Sequence, residues 1–274
     1  MENPKKIEVV EDLRQSEEYG KYMESIGWKT LRVQPKMQIF VRRLGPVAIA
    51  KLQRTGEDFP LENIKNILRK NRVMMIRIEP MKGQKPSGYR VSNWPLLGTK
   101  TLRVDLRPDE KEIFNSFKKD CRYIIKKLLI SNYLISNNNF SDFYKIWRQS
   151  AKRKGLWIPK KKEYESLIEA FGKNVFCLTV NDMAGALVLT HKETAFYYYA
   201  GSTREGTMLN LPYLIVWEAM REAKKRRCKI WDFEGIYDAR WPNKGWLGFS
   251  HFKKSFGGRE TEFPGSFEKW RWPF

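Results

Sequence analysis

IWDFEGI at residues 230–236 reads as an apolar strand that ends in a glycine turn bearing carboxylates. After a loop, HFKKSFGG at residues 251–258 places Lys253 between Phe252 and Phe256, ahead of a Gly-Gly break. A strand end followed closely by a cation among aromatic rings is the pattern expected at the lip of a functional site. We therefore expect the chemistry of the chain to lie in these two segments.

The elements before residue 230 form one mixed unit of helices and strands. Residues 211–227 predict a helix, because they carry apolar residues at four-residue spacing, Pro212 in the first turn and a basic end. The upstream elements are predicted to be a helix at 109–131, a strand at 133–136, helices at about 140–154 and 161–171, and strands at 175–180, 184–190 and 194–200.

A similar succession occupies the first hundred residues. It comprises a helix at 8–27, strands at 28–33, 37–43 and 47–53, a helix at about 60–71, an irregular Lys-, Gly-, Pro- and Ser-rich segment at 81–100, and strands at 73–79 and 101–106. Two such units predict an α/β protein with mixed sheets, built as two domains of one type in a duplicated acyltransferase-like fold. The first domain is predicted to span 1–108, completed by 260–274, and the second 109–259.

The chain is strongly basic, with a formal net charge of +21, and its 42% apolar residues are ample for packed cores. A field of this size favours polyanionic partners, namely RNA, phosphorylated substrates or an anionic membrane surface. The alternative is a solvated, lysine-rich surface without a specific partner. Charge alone does not choose among them.

The cysteines and the N-terminus bear on the compartment. Three widely spaced cysteines argue against a disulfide framework and against a Cys-x-x-Cys metal site, and they fit a reducing cytoplasm. The charged N-terminal segment lacks the apolar core of a signal peptide, and no run of about 18 apolar residues is long enough to span a bilayer. Any contact with a membrane is expected at its surface.

Lys253 is the first candidate for catalysis. A cation held against aromatic faces in a cleft that excludes water stabilises a developing oxyanion, because Coulomb attraction grows as the dielectric falls. The alternative is a basic strand end whose two phenylalanines belong to the core. Two carboxylates at strand ends are further candidates. Glu79 could take a proton from an attacking amine if burial raises its pKa. Asp232 could face the pocket, or it could accept hydrogen bonds from the Gly235 turn or pair with an arginine.

Aromatic and basic side chains mark possible substrate contacts. Alternation along a strand puts Tyr198 on the face opposite Tyr197 and Tyr199, so at least one hydroxyl is expected to be free for a ligand; ordinary packing is the alternative. The basic run at 152–162 contains one tryptophan and is expected to face phosphate, or else to be a solvated loop. Arg122, Lys126 and Lys127, on one predicted helical stripe, add to the same field.

Several common site patterns are absent from the sequence. Neither His191, in a predicted hairpin turn, nor His251 has a Ser or Cys nucleophile motif beside it, so no catalytic triad is expected. There is no phosphate-binding P-loop and no Gly-x-Gly-x-x-Gly fingerprint. The turn at 201–208 also lacks an Arg/Gln-x-x-Gly-x-Gly/Ala pyrophosphate loop, which counts against acetyl-CoA as the donor.

An ordered set of motifs resembles the Fem family of peptidoglycan interpeptide-bridge aminoacyltransferases (FemA, FemB and FemX). The most specific pair is WDFEGI at 231–236 followed by FKKSFGG at 252–258. In the same order as in the family come QSEEYGKYMESIGW, RIEP, TLRVDL, CRYIIKKL, RKGL, YYYAGS and LIVWEAMREAKKRRC. The resemblance implies two tandem GNAT-like acyltransferase domains, in the short form without a coiled-coil arm between residues 155 and 175.

The same resemblance implies a reaction and its partners. An aminoacyl group passes from aminoacyl-tRNA, the co-substrate, to a peptide-stem amine of a peptidoglycan precursor, either UDP-MurNAc-pentapeptide or lipid II. Neither a cofactor nor a metal is implied, and the enzyme is expected in the cytoplasm, with peripheral contact at the membrane face. A monomer is expected, with the oligomeric state left open.

The resemblance also assigns roles by position. Phe252 and Lys253 match the family's catalytic Phe-Lys, and Glu79 stands where the family has an aspartate. Positions assigned to substrate contact are Lys21, Lys160 (an arginine in the family), Tyr164, Tyr198 or Tyr199, and Asp232, which shapes the turn beside Lys253. Two rival interpretations remain: a GNAT-like N-acyltransferase with another acyl donor, and a non-catalytic protein that binds RNA or a membrane surface.

Overall fold

The computed structural model describes residues 11–34, 37–56 and 60–271 of the 274-residue chain. The predicted helix start at residues 8–10, the predicted turn at 35–36 and the last three residues lie outside them. The helices are α1 (Glu17–Ser25), α2 (Leu61–Lys70), α3 (Glu110–Asn115), α4 (Lys119–Leu129), α5 (Phe140–Arg153), α6 (Lys161–Phe171), α7 (Arg204–Met208), α8 (Leu211–Lys225) and α9 (Leu247–Lys254). The strands are β1 (Lys29–Gln34), β2 (Met37–Leu44), β3 (Val47–Gln53), β4 (Val73–Glu79), β5 (Arg90–Val91), β6 (Lys100–Asp105), β7 (Ile135–Asn137), β8 (Val175–Val180), β9 (Ala184–His191), β10 (Thr194–Ser202), β11 (Ile230–Asp232), β12 (Arg259–Glu262) and β13 (Phe267–Trp270).

The strands form two mixed sheets, which confirms the predicted fold class. The first has the order β1-β2-β3-β4-β13-β5, with β1 to β3 in the predicted antiparallel meander and β3 parallel to β4. The second has the order β12-β6-β11-β10-β9-β8-β7, with β10 parallel to β11 and the other pairs antiparallel. Strand β13 lies in the first sheet and β6 in the second, whereas the division of the chain into two domains by residue number stays a prediction.

The second sheet is covered on both faces, as expected for a sheet with a parallel crossover. On one face, α4 and α8 pack against it through a large apolar core that includes Trp217, Trp231 and Phe256. On the other face, α5 and α6 share a core with α1 and with Phe40 of the first sheet. The two halves of the chain are therefore joined by a common hydrophobic core.

One predicted helix is interrupted. Residues 109–131 form α3 and α4 instead of a single helix, because Lys118 is extended (ψ 151°) and its amide donates to the Ser255 carbonyl at 2.8 Å. The guanidinium of Arg122 donates to the carbonyl oxygens of Asn115 and Phe117 at the break. The apolar spacing continues across the interruption because both helices face the same core, so the pattern alone did not reveal it.

The N-terminal helix also begins later than predicted. Ser16 caps α1 by accepting a hydrogen bond from the Tyr19 amide, and a short 3₁₀ turn at Leu13–Gln15 precedes it. Across the ranges that the structure describes, none of the helices combines the length and the apolar character needed to cross a membrane.

Candidate active site

A cleft opens where β10 and β11 separate. The two parallel strands are in register from Thr194 opposite Ile230 to Phe196 opposite Asp232, and beyond that point β10 continues alone on this side to Ser202. The cleft that begins there has a volume of about 660 Å³. Ligands of open α/β sheets bind at such carboxyl ends of parallel strands, where the strands part.

The corresponding parallel pair of the first sheet does not open. Strands β3 and β4 stay in register to Gln53 opposite Glu79, and the pairing continues with an amide hydrogen bond from Arg54 to the Glu79 carbonyl and from Met81 to the Thr55 carbonyl. A cleft between parallel strands is therefore a feature of the second sheet only, among the described strands.

Lys253 lines this cleft from α9. Its Nζ donates hydrogen bonds of 2.7 Å to the carbonyl oxygens of Phe233 and Gly235, which lie in the turn after β11. The rings around the ammonium are those of Phe249, whose centroid is 4.9 Å from Nζ, and Tyr197, at 6.0 Å. The cation is thus held by backbone oxygens at the base of the cleft.

The predicted placement of Lys253 between Phe252 and Phe256 is wrong. Residues 247–254 form a helix, on which residues four apart share a face, so Phe249 and not Phe252 stands beside the lysine. Phe252 lines the cleft and meets Tyr213 edge to face at 4.9 Å. Phe256 is fully buried in the core.

The electrostatic surroundings of Lys253 weaken its hold on a proton. Burial lowers the pKa of Lys253 to about 8, and the nearby carboxylates of Glu234 and Asp232 offset only part of this effect. Among the cleft-lining residues that the structure describes, none is Asp or Glu. The cleft therefore suits a group that develops negative charge.

Asp232 lies under the turn and not in the cleft. Its carboxylate is buried, accepts hydrogen bonds from the Thr101 hydroxyl (2.6 Å) and the Glu234 amide (2.9 Å), and pairs with Arg103 Nε at 2.8 Å. Burial opposes ionisation, but Arg103 and these hydrogen bonds hold the pKa of Asp232 below its usual value. Both structural partners considered for Asp232, the turn and an arginine, are present.

Arg14 and Glu234 tie the N-terminal segment to the same turn. Glu234 has a left-handed backbone (φ 61°), and its carboxylate pairs with the buried guanidinium of Arg14, which also pairs with Asp12 at 3.0 Å. Sequence reasoning did not find Arg14, because its partner lies 220 residues away. The pair fixes the turn that presents two carbonyl oxygens to Lys253.

The predicted alternation of the three tyrosines holds for Tyr197 and Tyr198 but is wrong for Tyr199, because β10 has a bulge at Tyr198. Tyr197 faces the core beneath α8, whereas Tyr198 and Tyr199 both lie on the opposite face. Tyr199 stacks on Trp147 with the ring centroids 3.9 Å apart, and Tyr198 lines the cleft. Burial raises the pKa of Tyr198 and Tyr199 well above the usual range.

The hydroxyls of these two tyrosines belong to a buried cluster. The Tyr198 and Tyr199 ring centroids are 4.6 Å apart, and Tyr19 and Tyr22 of α1 lie close enough to raise the pKa of both hydroxyls further. Because α1 comes from the N-terminal half, the cluster couples the cleft wall to that half.

The residues assigned to diphosphate contact lie elsewhere. Lys21 on α1 and Lys160 at the start of α6 are exposed, on two helices that pack against each other. Tyr164 is buried, and its hydroxyl donates to the Phe140 carbonyl at 2.9 Å. None of the three lines the cleft that holds Lys253.

Glu79 is also remote from that cleft. Its buried carboxylate accepts hydrogen bonds from Gln53 Nε2 and from the amides of Leu96 (2.6 Å) and Leu97 (3.2 Å). Leu96 and Leu97 line a separate cavity of about 530 Å³, which Glu79 does not line. The carboxylate fastens the irregular segment to β4.

Sequence reasoning missed part of the cleft wall. Asn210, Tyr213 and Phe249 line it, whereas Arg153 and Lys154 at its mouth belong to the basic run already identified. The sequence could have indicated Asn210 and Tyr213, because they lie at the start of the helix that follows β10. In a parallel crossover, such a helix begins beside the carboxyl end of the strand before it. The sequence could also have indicated Phe249, because it lies four residues before Lys253 and residues four apart share a face of a helix.

Residues 178–273 match the family model described as the FemAB family. The predicted resemblance to the Fem family is confirmed. The FemAB match covers β9 to β13 with α8 and α9, and so includes Lys253, both of its carbonyl partners and most of the cleft wall.

Solved structures show the same fold. The crystal structure of FemX superposes with a TM-score of 0.78 at 13% identity, over 95% of this chain and 92% of that chain. The structure of L-PGS from Bacillus licheniformis gives 0.58 at 10% identity, over 91% and 86%. A tandem GNAT protein from the clavulanic acid biosynthesis pathway gives 0.51 at 10% identity, over 85% and 78%. A search of curated protein sequences finds no match.

The FemAB match confirms the predicted enzyme class, an acyltransferase.

Proposed function

We propose that this chain is a Fem-type aminoacyltransferase of peptidoglycan-bridge synthesis, which transfers an aminoacyl group from aminoacyl-tRNA to a peptide-stem amine of a peptidoglycan precursor. The observation that carries the proposal is the Lys253 ammonium, held by two carbonyl oxygens at the base of an aromatic cleft inside the FemAB-matching residues. The FemX superposition over nearly the whole chain supports it.

To catalyse this reaction, the enzyme mainly has to orient the amine on the ester carbonyl and stabilise the negative charge that develops on the carbonyl oxygen. The amine nitrogen attacks the ester carbonyl carbon, the bond from that carbon to the ribose oxygen breaks, and the proton lost by the amine balances the proton gained by the ribose oxygen. The ester is already activated, so no further energy source is required. An ammonium has three N–H groups; with two used by Phe233 and Gly235, Lys253 has one to donate to the oxyanion of the tetrahedral intermediate.

The rest of the cleft fits the same substrate class. Arg153 and Lys154 at the mouth suit a phosphate of the tRNA end, and the aromatic walls from Tyr213, Phe249 and Phe252 suit an uncharged acyl or base portion. We assign Glu79 to holding the segment at residues 96–97, since its carboxylate is already bound by three protein donors. Lys21 and Lys160 remain the candidates for the precursor diphosphate.

The decisive experiment is mass spectrometry of precursor incubated with the protein and a mixed aminoacyl-tRNA pool. We expect the precursor to gain the mass of one aminoacyl residue, and charged tRNA to be retained on filters more strongly than uncharged tRNA. Transfer from an acyl-CoA, without any product from aminoacyl-tRNA on either UDP-MurNAc-pentapeptide or lipid II, would establish the rival N-acyltransferase instead.

A further inference from the structure

Arg14 is a buried cation at the junction between the N-terminal segment and the cleft. Only 4% of its side chain is exposed. Its guanidinium pairs with Glu234 in the turn after β11 and lies 6.0 Å from the centroid of the Tyr198 ring, which lines the cleft from β10. One side chain from the N-terminal segment thus reaches both of the strands that part to form the cleft.

Contacts on the N-terminal side hold Arg14 in this position. The Asp12 carboxylate accepts a hydrogen bond from the Arg14 amide at 2.9 Å and pairs with the guanidinium at 3.0 Å. The Arg14 carbonyl accepts a hydrogen bond of 3.0 Å from Nε2 of Gln38, on β2. The guanidinium is therefore anchored in the N-terminal half of the chain, independently of the turn that it contacts.

Glu234 connects Arg14 to Lys253. Its two carboxylate oxygens accept hydrogen bonds from Nη1 and Nη2 of Arg14, in a bidentate arrangement that fixes geometry as well as charge. The backbone carbonyl oxygens on either side of Glu234 are the two that hold the Lys253 ammonium. Glu234 is also left-handed (φ 61°), a conformation that a residue with a side chain keeps when its surroundings hold it there.

The same pair sets part of the charge beside the ammonium. Burial lowers the pKa of Lys253, and the carboxylates of Glu234 and Asp232 act in the opposite direction. Each of these two acids has its own buried arginine, since Asp232 pairs with Arg103 and Glu234 with Arg14. Removing a member of either pair would therefore change the net charge that Lys253 experiences.

The other titratable side chains around this lysine, among the residues that the structure describes, are tyrosines, cations and one histidine. They are Tyr197 and Tyr198 on β10, Tyr213 on α8, Arg153 and Lys154 at the end of α5, and His251 and Lys254 on α9. Burial raises the pKa of the three tyrosines, so they are uncharged near neutral pH. The negative charge that acts on Lys253 thus comes from the turn.

A second ion pair shows what a purely structural contact looks like. Arg77 and Glu268 are buried to a similar degree, with 14% and 13% of their side chains exposed, and they join β4 to β13 in the first sheet. Glu268 is not among the carboxylates that act on Lys253. Its loss would weaken the sheet and leave the ammonium unchanged.

We propose that Arg14 is a positioning residue for Lys253. Through Glu234, it fixes the turn that holds the ammonium and offsets the negative charge beside it, so the N-terminal half of the chain sets both the position and the protonation of Lys253. This inference rests on the proposed function for its effect on aminoacyl transfer. Its effect on the lysine itself is measurable without any transfer reaction.

The first experiment measures the pKa of Lys253 directly. Trace labelling with acetic anhydride over a pH series, followed by mass spectrometry of the peptide that carries Lys253, gives its titration; wild type is expected at about 8. Glu234→Gln removes a negative charge and should lower this pKa by at least about half a unit. Arg14→Met leaves the Glu234 charge without its counter-charge and should raise it by a similar amount.

Two further variants separate charge from geometry. Arg14→Lys keeps the positive charge but not the planar fork, so a pKa of Lys253 close to that of wild type and a transfer rate at least about threefold lower are expected. Glu268→Gln is the matched control, and Lys253 should titrate in it as in wild type. Thermal unfolding identifies any variant that does not fold; if Arg14→Met is one, Glu234→Gln and Arg14→Lys decide the question.

The direction of the shifts decides the outcome. An unchanged Lys253 pKa in Glu234→Gln, or shifts of the same sign in Glu234→Gln and Arg14→Met, would show that the pair is structural only. In transfer assays, the decline of the rate at high pH should move with the Lys253 pKa of each variant. Opposite shifts in a protein that transfers no aminoacyl group would leave the role of Arg14 standing and remove the proposed reaction, whereas transfer without the shifts would do the reverse.

Discussion

In the proposed reaction, Lys253 is the residue on which the chemistry depends. Its ammonium is fixed by carbonyl oxygens on a turn that is itself fixed by Asp232 and by the pair of Arg14 with Glu234. Such preorganised positive charge costs little rearrangement when an oxyanion forms, and donors of this kind contribute strongly to acyl transfer.

Lys253→Met is expected to lower transfer by about 100-fold or more, because methionine fills the space without a positive charge or a donor. Lys254→Met is the matched control, since Lys254 pairs with Glu260 at the surface and does not line the cleft. Single-turnover transfer and thermal unfolding should be measured on both. Wild-type turnover by the Lys253 variant would show that this lysine is structural.

The pH dependence of transfer follows from the same group. Burial lowers the pKa of Lys253 to about 8, so the ammonium is present below that pH and is lost as the pH rises through it. We expect the transfer rate to decline above about pH 8, and the decline to be absent in Lys253→Arg at whatever rate that variant retains, since arginine keeps its charge. A wild-type rate that stays level to pH 10 would contradict the assignment.

Asp232→Asn is expected to destabilise the protein by about 3–5 kcal/mol, because the buried Arg103 loses its counter-charge. Asp105→Asn, which breaks the more exposed pair with Arg107, should cost no more than about 1 kcal/mol. Urea denaturation of both variants gives the comparison. Equal losses for the two would mean that the buried pair adds nothing beyond a surface contact.

At the level of elements, the sequence predicted which segments are strands and helices better than how they meet. Apolar spacing, the proline in the first turn and the basic last turn predicted helix α8, and the apolar runs on either side of it predicted strands β10 and β11. Lys253 contacts the turn that follows β11. The bulge at Tyr198 and the break before Lys118 depend on contacts with distant segments, so no local pattern revealed them. For the same reason the cleft wall from Asn210 and Tyr213 went unnoticed.

The turn after α9 gives a test at this scale. Gly257 has φ 68°, and a Cβ there would lie 2.6 Å from the Ser116 carbonyl oxygen at the break between α3 and α4. Gly257→Ala is therefore expected to cost at least about 1 kcal/mol and to lower transfer by loosening α9. Gly248→Ala, on α9 itself, should be neutral or slightly stabilising, because no other atom lies within 4 Å of an added Cβ there. Chemical denaturation combined with transfer rates measures both effects, and an unaffected Gly257 variant would argue against the close approach.

Across the whole molecule, the chain's C-terminal segment stabilises its N-terminal sheet. Strand β13 lies between β4 and β5, Phe267 is buried in the core of that sheet, and Glu268 pairs with Arg77 at 2.8 Å. Residues 260–274 were expected to complete the first half. Residues 267–270 form β13 in the first sheet, whereas residues 260–262 belong to β12 and pair with β6 in the second sheet.

Phe267→Ala is expected to lower the free energy of unfolding by about 3–5 kcal/mol, because it leaves a cavity between β13 and the rest of the first sheet. Trp270→Ala on the same strand is the control, with a smaller loss expected since its side chain is about half exposed. Thermal and urea unfolding should rank the two. A Phe267 variant as stable as the control would show that β13 is a peripheral strand.

The position of β13 also sets an order of events during synthesis. The first sheet lacks the strand that joins β4 to β5 until residues 267–270 have left the ribosome, whereas β7 to β11 can pair as soon as they emerge. The half of the chain that is translated first therefore completes its folding last, and until then β4 and β5 present unpaired edges. This order is the reverse of the N-to-C order in which domains usually fold during synthesis.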